Sequence, residues 1–285
     1  MVDEALEMGF GALELGYGFK PGMAEGVMAR VRTGAIGISS IHAFTPAAEG
    51  SGGHPELFKP ASPKEEERVQ AVAKILDNLA FAREVGAPVV VLHAGRVEAA
   101  ARPWLWIHDR IMNERDEGFF YRFRLRKMNA ARDAGAPAMM EALSRSLAEV
   151  LPAFEKAGVR LAIENLPSYD ALPSPAEMDA LAASFGSSPA FAFWFDMGHG
   201  QVMENAGYGD AAALAKRHLG RVAGAHVHDV IGPGGDHQAP GLGGIDYRRF
   251  SFLRDKILVF EPLSSIGKAD LAASLAFMRR EWPGA

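Results

Sequence analysis

The sequence contains no cysteine, which excludes both a disulfide framework and thiolate chemistry. It has no apolar run near the roughly 20 residues that a membrane-spanning helix requires, and its start, Met1-Val2-Asp3-Glu4, has neither the basic nor the apolar region of a secretion signal. It also has no excess of positive charge, because its formal net charge is −5, which gives no broad attraction to a phosphate backbone. We therefore expect a cytoplasmic protein that does not bind a membrane; a nucleic acid partner is disfavoured but not excluded.

The remaining composition is that of an ordinary globular protein. Of its 285 residues, 48% are hydrophobic and 23% are charged, and no tract is of low complexity. A (β/α)8 barrel typically occupies about 250 residues. We therefore predict one domain spanning residues 1–285.

Strand-like and helix-like segments alternate along most of the chain. Apolar runs that end at polar residues predict seven strands, at 12–15, 36–42, 88–93, 159–164, 191–196, 222–228 and 256–261. Helical periodicity and capping boxes at Ser62 and Ser174 predict intervening helices at 3–9, 21–32, 63–86, 138–157, 175–185, 210–218, 247–254 and 268–280. This alternation predicts parallel βαβ units that form either a TIM barrel or an open doubly wound sheet.

One segment, 96–136, is longer than an ordinary βα loop and is rich in arginine and aromatic residues. We interpret it as a largely helical insertion. It either packs on the rim of the barrel or forms a lid over the site. As a lid it would bring one or more arginines to an anionic group of the substrate, the candidates being Arg96, Arg102, Arg110 and Arg115.

No strand is predicted before residue 12, so the count stops at seven instead of eight. The strands at 12–15 and 256–261 would then each have an unpaired edge. Either the natural start lies upstream of residue 1, or the two strands pair directly in a seven-stranded barrel, or another chain fills the gap. Of these possibilities we favour a barrel with a gap or distortion between the two strands.

Polar residues stand at or just beyond the end of every predicted strand. They are Glu14, His42, His93, Glu164, Asp196, His199, His226, His228 and Glu261, and His237 lies in the loop that follows His228. The carboxyl ends of parallel barrel strands share one face, so these side chains should converge. Several carboxylates and imidazoles around one cavity favour one or two divalent metal ions with mixed oxygen and nitrogen ligands. The other histidines, His54, His108 and His218, we interpret as surface or structural residues.

Six segments of the chain resemble those of the xylose isomerase-like TIM-barrel superfamily, a group of sugar isomerases and epimerases related to endonuclease IV. They are Val91-Leu92-His93-Ala94-Gly95, Leu161-Ala162-Ile163-Glu164-Asn165, Phe195-Asp196-Met197-Gly198-His199, Ala225-His226-Val227-His228-Asp229, the run 237–246 that begins His237-Gln238-Ala239-Pro240, and Val259-Phe260-Glu261-Pro262.

The resemblance implies roles for individual residues. It matches Glu164, Asp196, His226 and Glu261 to the shared metal site, and His199 to the histidine three residues after the aspartate. It also matches His93, and less closely His42, to ligands of further metals in the nuclease branch. The candidates for binding a second metal or the substrate are His42, His93, His199, His228 and His237. Two positions depart from the superfamily: His228 stands where many members carry lysine, and Gly235 stands where an acidic residue is usual, with Asp236 displaced by one.

The function that this resemblance implies is a metal-dependent isomerase or epimerase of a sugar, sugar acid or polyol. Mn, Mg, Co or Zn would stabilise a cis-enediolate, with Glu164 and Glu261 as the bases and His199 bonded to a substrate oxygen. The partner would be a small carbohydrate, and a homodimer is one assembly that we consider.

Three alternatives stay open at this point. An inosose-type dehydratase would need the same parts as an isomerase. An endonuclease IV-like phosphodiesterase would use His42, His93, His199 and His237 as ligands of further metals, and the acidic charge of the chain counts against it. The third is a non-catalytic barrel that binds a polyol or a protein, which the nearly complete ligand set disfavours.

Overall fold

Seven parallel strands form one sheet that curves into a nearly closed barrel. The computed structural model describes residues 2–16, 18–46, 53–97, 103–113 and 117–283. Within them the strands are β1 (Ala12–Leu15), β2 (Gly37–His42), β3 (Val89–Leu92), β4 (Arg160–Glu164), β5 (Phe191–Asp196), β6 (Val222–Val227), β7 (Asp229–Ile231), β8 (Gly235–Gln238) and β9 (Ile257–Phe260). The sheet order is β1-β2-β3-β4-β5-β6-β9, and β7 pairs with β8 in a separate antiparallel hairpin. The predicted TIM barrel with seven strands is therefore confirmed.

The helices follow the strands around the outside. They are α1 (Val2–Met8), α2 (Pro21–Arg32), α3 (Glu65–Val85), α4 (Pro103–Met112), α5 (Phe119–Ala157), α6 (Pro175–Phe185), α7 (Met197–Asn205), α8 (Ala211–Arg217) and α9 (Lys268–Glu281), with a 3-10 helix at Tyr247–Leu253. None of the described helices is both long and apolar enough to cross a bilayer.

Alternating residues of the strands face two separate cores. Val90, Leu92, Leu161, Ile163 and Phe193 belong to the large cluster between the sheet and the helices. The other face fills the barrel with a small cluster of Val89, Val91, Ala162, Ala192, Trp194 and Ala223. Because both faces of the central strands are buried, these strands read in the sequence as continuous apolar runs.

The insertion does not end where the sequence predicted. Instead of stopping at residue 136, its second helix continues into the predicted helix 138–157, so that α5 is one helix of 39 residues with Pro137 inside it. A proline inside a helix removes one backbone hydrogen bond. Contacts on both sides of the proline outweigh that loss, because Met128 and Met139 are both buried and Arg132 is bound to Glu177.

Three further local predictions need correction. The Ser62 capping box is absent, since α3 begins two residues later, with Lys64 as an N-cap that makes no side-chain bond, whereas the Ser174 box is present. The segment after His228, predicted as a loop, contains the β7–β8 hairpin. The helix α7 directly after β5 was not predicted, because its glycines at 198 and 200 weaken the helical signal.

The barrel has a seam between its first and last strands. Among the described residues no backbone pairing joins β1 to β9, although the rings of Phe10 and Phe260 are in contact with centroids 5.4 Å apart. A cleft of about 590 Å³ lies there, lined by residues of both strands. All four residues of β9 are half-buried, while those of β5 are fully buried. The predicted gap lies at this seam.

Candidate active site

The carboxyl ends of the barrel strands bring four predicted ligands together. One ligand atom from each of Glu164, Asp196, His226 and Glu261 can be chosen so that all four lie within 4.8 Å of one another. Glu164 and Asp196 end β4 and β5, His226 lies in β6, and Glu261 follows β9. The strands therefore place residues from four distant parts of the sequence around one point.

The ring of His226 is the centre of this group. Its Nδ1 atom lies 3.0 Å from Oε1 of Glu164, 3.2 Å from Oε2 of Glu261 and 3.5 Å from Oδ2 of Asp196. His226, Glu164 and Asp196 are almost completely buried. Three carboxylates around one ring nitrogen repel one another unless protons or a cation lie among them.

A second group shares Glu164 with the first. This group consists of Glu164 with His42 and His93, and one ligand atom from each also lies within 4.8 Å of the other two. Oε2 of Glu164 is 3.2 Å from Nε2 of His42 and 3.1 Å from Nε2 of His93. Nδ1 of His42 lies 2.8 Å from the carbonyl oxygen of Ala43, to which it donates. In a neutral ring Nε2 then carries the lone pair, and this lone pair faces a carboxylate oxygen.

Three further imidazoles, those of His199, His228 and His237, form a third group. Nδ1 of His199 donates to the carbonyl of Asn165 at 3.0 Å, and Nδ1 of His237 donates to the carbonyl of Glu261 at 2.8 Å. Both rings therefore keep Nε2 as an acceptor.

His228 differs from the other two rings because both its nitrogens are occupied. Its Nδ1 accepts the backbone N–H of His237 at 2.8 Å, so that Nε2 carries the proton and donates to Asp196 at 2.9 Å. In this structure His228 therefore binds Asp196 through one ring nitrogen and the backbone of His237 through the other.

The backbone around Asp196 fixes this carboxylate further. Asp196 is the N-cap of α7, and its Oδ1 accepts the backbone N–H of His199 at 2.6 Å. The side chain of Asn165 bonds both the N–H and the carbonyl of Asp196, each at 2.9 Å. Residue 198 has to be glycine here, since an added Cβ would lie 2.0 Å from Cε1 of His228.

Trp194 forms the floor below the site. Its ring lies edge-on to that of His226, with centroids 5.3 Å apart. Gly224 leaves room for the indole, because a Cβ at this position would lie 2.4 Å from Cζ3 of Trp194. The glycine within β6 is therefore a packing requirement of the site.

The pKa values of the carboxylates are shifted in opposite directions. Burial alone would raise the pKa of Glu164, but His226 and His93 outweigh it and hold that pKa well below the usual range. Burial raises the pKa of Glu261, and the charges of Glu164 and Asp196 add to this against the opposing effect of His226.

The imidazoles are also shifted in opposite directions. Burial lowers the pKa of His199 to about 4, so that its ring is neutral at pH 7. Burial opposes the charged form of His93 as well, but the carboxylates of Glu164 and Glu56 outweigh it and raise the pKa of His93 to about 9.

A cleft of about 290 Å³ opens onto the three groups. Its wall includes residues that the sequence analysis did not assign to the site. Glu56 lies there, 3.6 Å from Nδ1 of His93 and 2.9 Å from Nε of Arg96. His54, predicted as a surface or structural residue, stands at the exposed rim. Neither residue stands directly at the end of a strand, so the rule that selected residues at strand ends did not select them.

The predicted arginines of the insertion lie in different places. Arg96 lines the cleft and is paired with Glu56. Arg110 lines a separate cleft between α4 and α5, with its guanidinium carbon 5.4 Å from the centroid of the Trp106 ring. Arg102 and Arg115 are outside the described residues.

Chemically, the site offers a buried set of oxygen and nitrogen donors suited to a divalent cation. It also has carboxylates close to where a bound substrate would lie, and neutral ring nitrogens that can accept hydrogen bonds. These are the parts needed to move a proton at a carbon next to a carbonyl group.

Solved structures of sugar epimerases share the fold. A D-tagatose 3-epimerase-like protein is 19% identical, with a TM-score of 0.68 over 98% of this chain and 91% of that one. The 3-keto-D-glucoside 4-epimerase of E. coli is 16% identical, with a TM-score of 0.69 over 98% and 92%. A Thermus thermophilus protein soaked with ZnCl2 is 20% identical, with a TM-score of 0.58 over 95% and 98%. No curated protein matches the sequence significantly.

The sequence itself matches the family model described as xylose isomerase-like TIM barrel over residues 2–280, which is nearly the whole chain. The chain belongs to the xylose isomerase-like TIM-barrel family.

Proposed function

We propose that this protein is a divalent-metal-dependent isomerase or epimerase of a sugar, sugar acid or polyol. The observation that carries the proposal is the convergence of Glu164, Asp196, His226 and Glu261 within 4.8 Å at the carboxyl ends of the strands. The epimerases among the structural neighbours are consistent with it at the level of the fold.

The donor set fits a metal ion. Three carboxylates and one imidazole nitrogen, nearly all buried, point at one another, and a cation among them would relieve the repulsion between the carboxylates. Hard oxygen donors combined with one borderline nitrogen suit Mn, Mg, Co or Zn. When bound, such an ion polarises the carbonyl and the adjacent hydroxyl group of a substrate.

The residues of the chain supply the proton transfer. Glu164 and Glu261 reach the site from β4 and from the end of β9, strands that are separated in the sheet by β5 and β6. Each could remove a proton from a carbon next to a carbonyl group and return it to the other face or to the neighbouring carbon. Neutral His199, whose Nδ1 donates to Asn165, presents Nε2 as an acceptor for a substrate hydroxyl.

We also propose that the insertion forms a lid over the site. α4 packs on the β7–β8 hairpin, where Nε2 of His108 donates to the carbonyl of Gly234 at 3.0 Å. Ile107 and Ile111 of the same helix pack against Tyr169, in the loop after β4. Both contacts are at the end of the barrel that carries the site, where a lid excludes water.

A phosphodiesterase is the second candidate because of one specific observation. His42, His93 and Glu164 form a group that could hold a second ion beside the first, and two neighbouring ions are typical of phosphate ester hydrolysis. The net charge of −5 counts against a nucleic acid substrate. A dehydratase of cyclic keto-polyols would use the same groups as the isomerase, and only its products would distinguish it.

Two assays on one preparation test the proposal. After chelation and loading with Mn, Mg, Co or Zn, we expect ketoses, ketose phosphates or hydroxy-keto acids to exchange a carbon-bound proton in deuterium oxide, while abasic-site DNA stays uncut. Glu164→Gln should abolish exchange, and Asp179→Asn, which alters an exposed carboxylate of α6, should not. DNA cleavage without sugar exchange would overturn the proposal in favour of the second candidate.

A further inference from the structure

His226 meets a carboxylate on each side of its ring. Its Nδ1 faces Glu164 and Glu261, as described above, while its Nε2 lies 3.0 Å from Oε1 of Glu14. A neutral imidazole carries only one proton, so it can donate on only one side. The side that receives the proton decides which nitrogen can bind a metal ion.

Glu14 stands outside the group of four candidate ligands. It lies on β1, its side chain is only 7% exposed, and its Oε2 accepts a hydrogen bond of 2.6 Å from the hydroxyl of Ser40 on β2. The other carboxylate oxygen is directed at His226. Glu14 therefore has a fixed position, with one neighbour on each oxygen.

An ionised carboxylate only accepts hydrogen bonds, so the short contact with Glu14 requires the proton to be on Nε2 of His226. Nδ1 faces three further carboxylates, which would hold a proton there in the absence of a cation. A metal ion bound among them would take the place of that proton and meet the lone pair of Nδ1. A carboxylate that binds the far nitrogen of a ligating histidine fixes the ring orientation and makes the near nitrogen a better donor.

We infer that Glu14 is a positioning residue that holds His226 as the Nε2–H tautomer and presents its Nδ1 to the metal ion. The inference rests on the proposed function, since it assigns a role toward the same metal site. Ser40 supports Glu14 from the side opposite His226. The competing reading is a structural ion pair, in which His226 carries both protons and takes no part in metal binding.

Calorimetric titration of the chelated protein with Zn²⁺ measures the first consequence. Glu14→Ala should weaken binding about 10- to 100-fold, the range found when such outer partners are removed. Glu14→Gln keeps an acceptor oxygen at the same place and should recover part of the loss, which also shows that loss of folding is not the cause. The matched control is Asp179→Ala, since Asp179 contacts His218 at 3.2 Å away from the site and its loss should leave the affinity unchanged.

The proton position itself is read by long-range ¹H–¹⁵N NMR of the zinc-loaded protein. We expect the His226 ring to show a protonated Nε2 and a metal-bound Nδ1, and this pattern should weaken in Glu14→Ala. If the unaltered protein binds no divalent ion, the proposed function fails. If it binds zinc and Glu14→Ala binds equally well with the same ring signals, only the role of Glu14 fails.

Discussion

Replacing Gly224 by alanine tests the packing below the site. The added Cβ would lie 2.4 Å from Cζ3 of Trp194 and 2.8 Å from the backbone oxygen of Ile257. Overpacking of this kind costs about 1–3 kcal/mol, and a chain of this size loses about 2 °C in Tm per kcal/mol. We therefore expect Tm to fall by about 2–6 °C. Metal affinity should fall as well, because the ring of His226 lies against Trp194.

Thermal unfolding and zinc titration of the same variants measure both effects. Gly220→Ala is the control, since an added Cβ there meets nothing within 4 Å. Trp194→Phe removes the ring atoms that the new Cβ would strike, so the double variant should be more stable than the sum of the two single changes predicts. The carbonyl of Ile257 stays in place, so the recovery should be partial. Additive losses, or a Gly224→Ala protein as stable as the unaltered one, would refute this account of the barrel floor.

Three further outcomes are expected. Arg132→Met should lower the free energy of unfolding by about 3–5 kcal/mol, because it leaves Glu177 without its partner in a largely buried site. Burial would raise the pKa of Glu177, but Arg132 and the Ser174 cap outweigh it and lower that pKa. The pair therefore stabilises the fold at pH values above the pKa of Glu177 in the unfolded chain. In urea unfolding this contribution should disappear as the pH falls through the pKa of Glu177 in the folded protein. In hydrogen exchange, amides of β1 and β9 at the seam should exchange faster than those of β4 and β5, and equal protection would argue against an open seam. Replacing α4 by a Gly-Ser linker should raise KM if the insertion is a lid, whereas unchanged kinetics with a lower Tm would indicate packing alone.

The strands and their terminal residues could be predicted because a buried strand leaves a direct signal in the sequence. Phe191–Asp196 is an apolar run that ends in a carboxylate, and in a parallel barrel this is enough to place Asp196 near Glu164. The function of Glu14 was not predicted, although its place at a strand end was. Its role depends on which nitrogen of His226 it meets, and ring orientation has no sequence signal.

Other parts of the site depend on contacts between segments that no local pattern encodes. Glu56 reaches His93 from a loop with neither a strand nor a helical period. In the sequence His228 stands two residues after His226, and it was a candidate ligand of a second metal or of the substrate. The sequence does not reveal where the ring nitrogens of His228 point. In the structure, the hairpin brings the backbone N–H of His237 to Nδ1 of His228, and Nε2 of His228 is turned toward Asp196.

The β7–β8 hairpin connects helix α4 of the insertion to the candidate site. Gly234, at its turn, accepts the bond from His108 of α4, and His237, on its second strand, donates its backbone N–H to His228. A movement of α4 that carried Gly234 with it would therefore alter the bond that keeps the Nε2 proton of His228 on Asp196. Motions of helices over an active site occur in microseconds to milliseconds, in the range of ordinary turnover. If α4 opens as a lid, the bond between His228 and Asp196 would therefore be disturbed and restored at the rate of that opening.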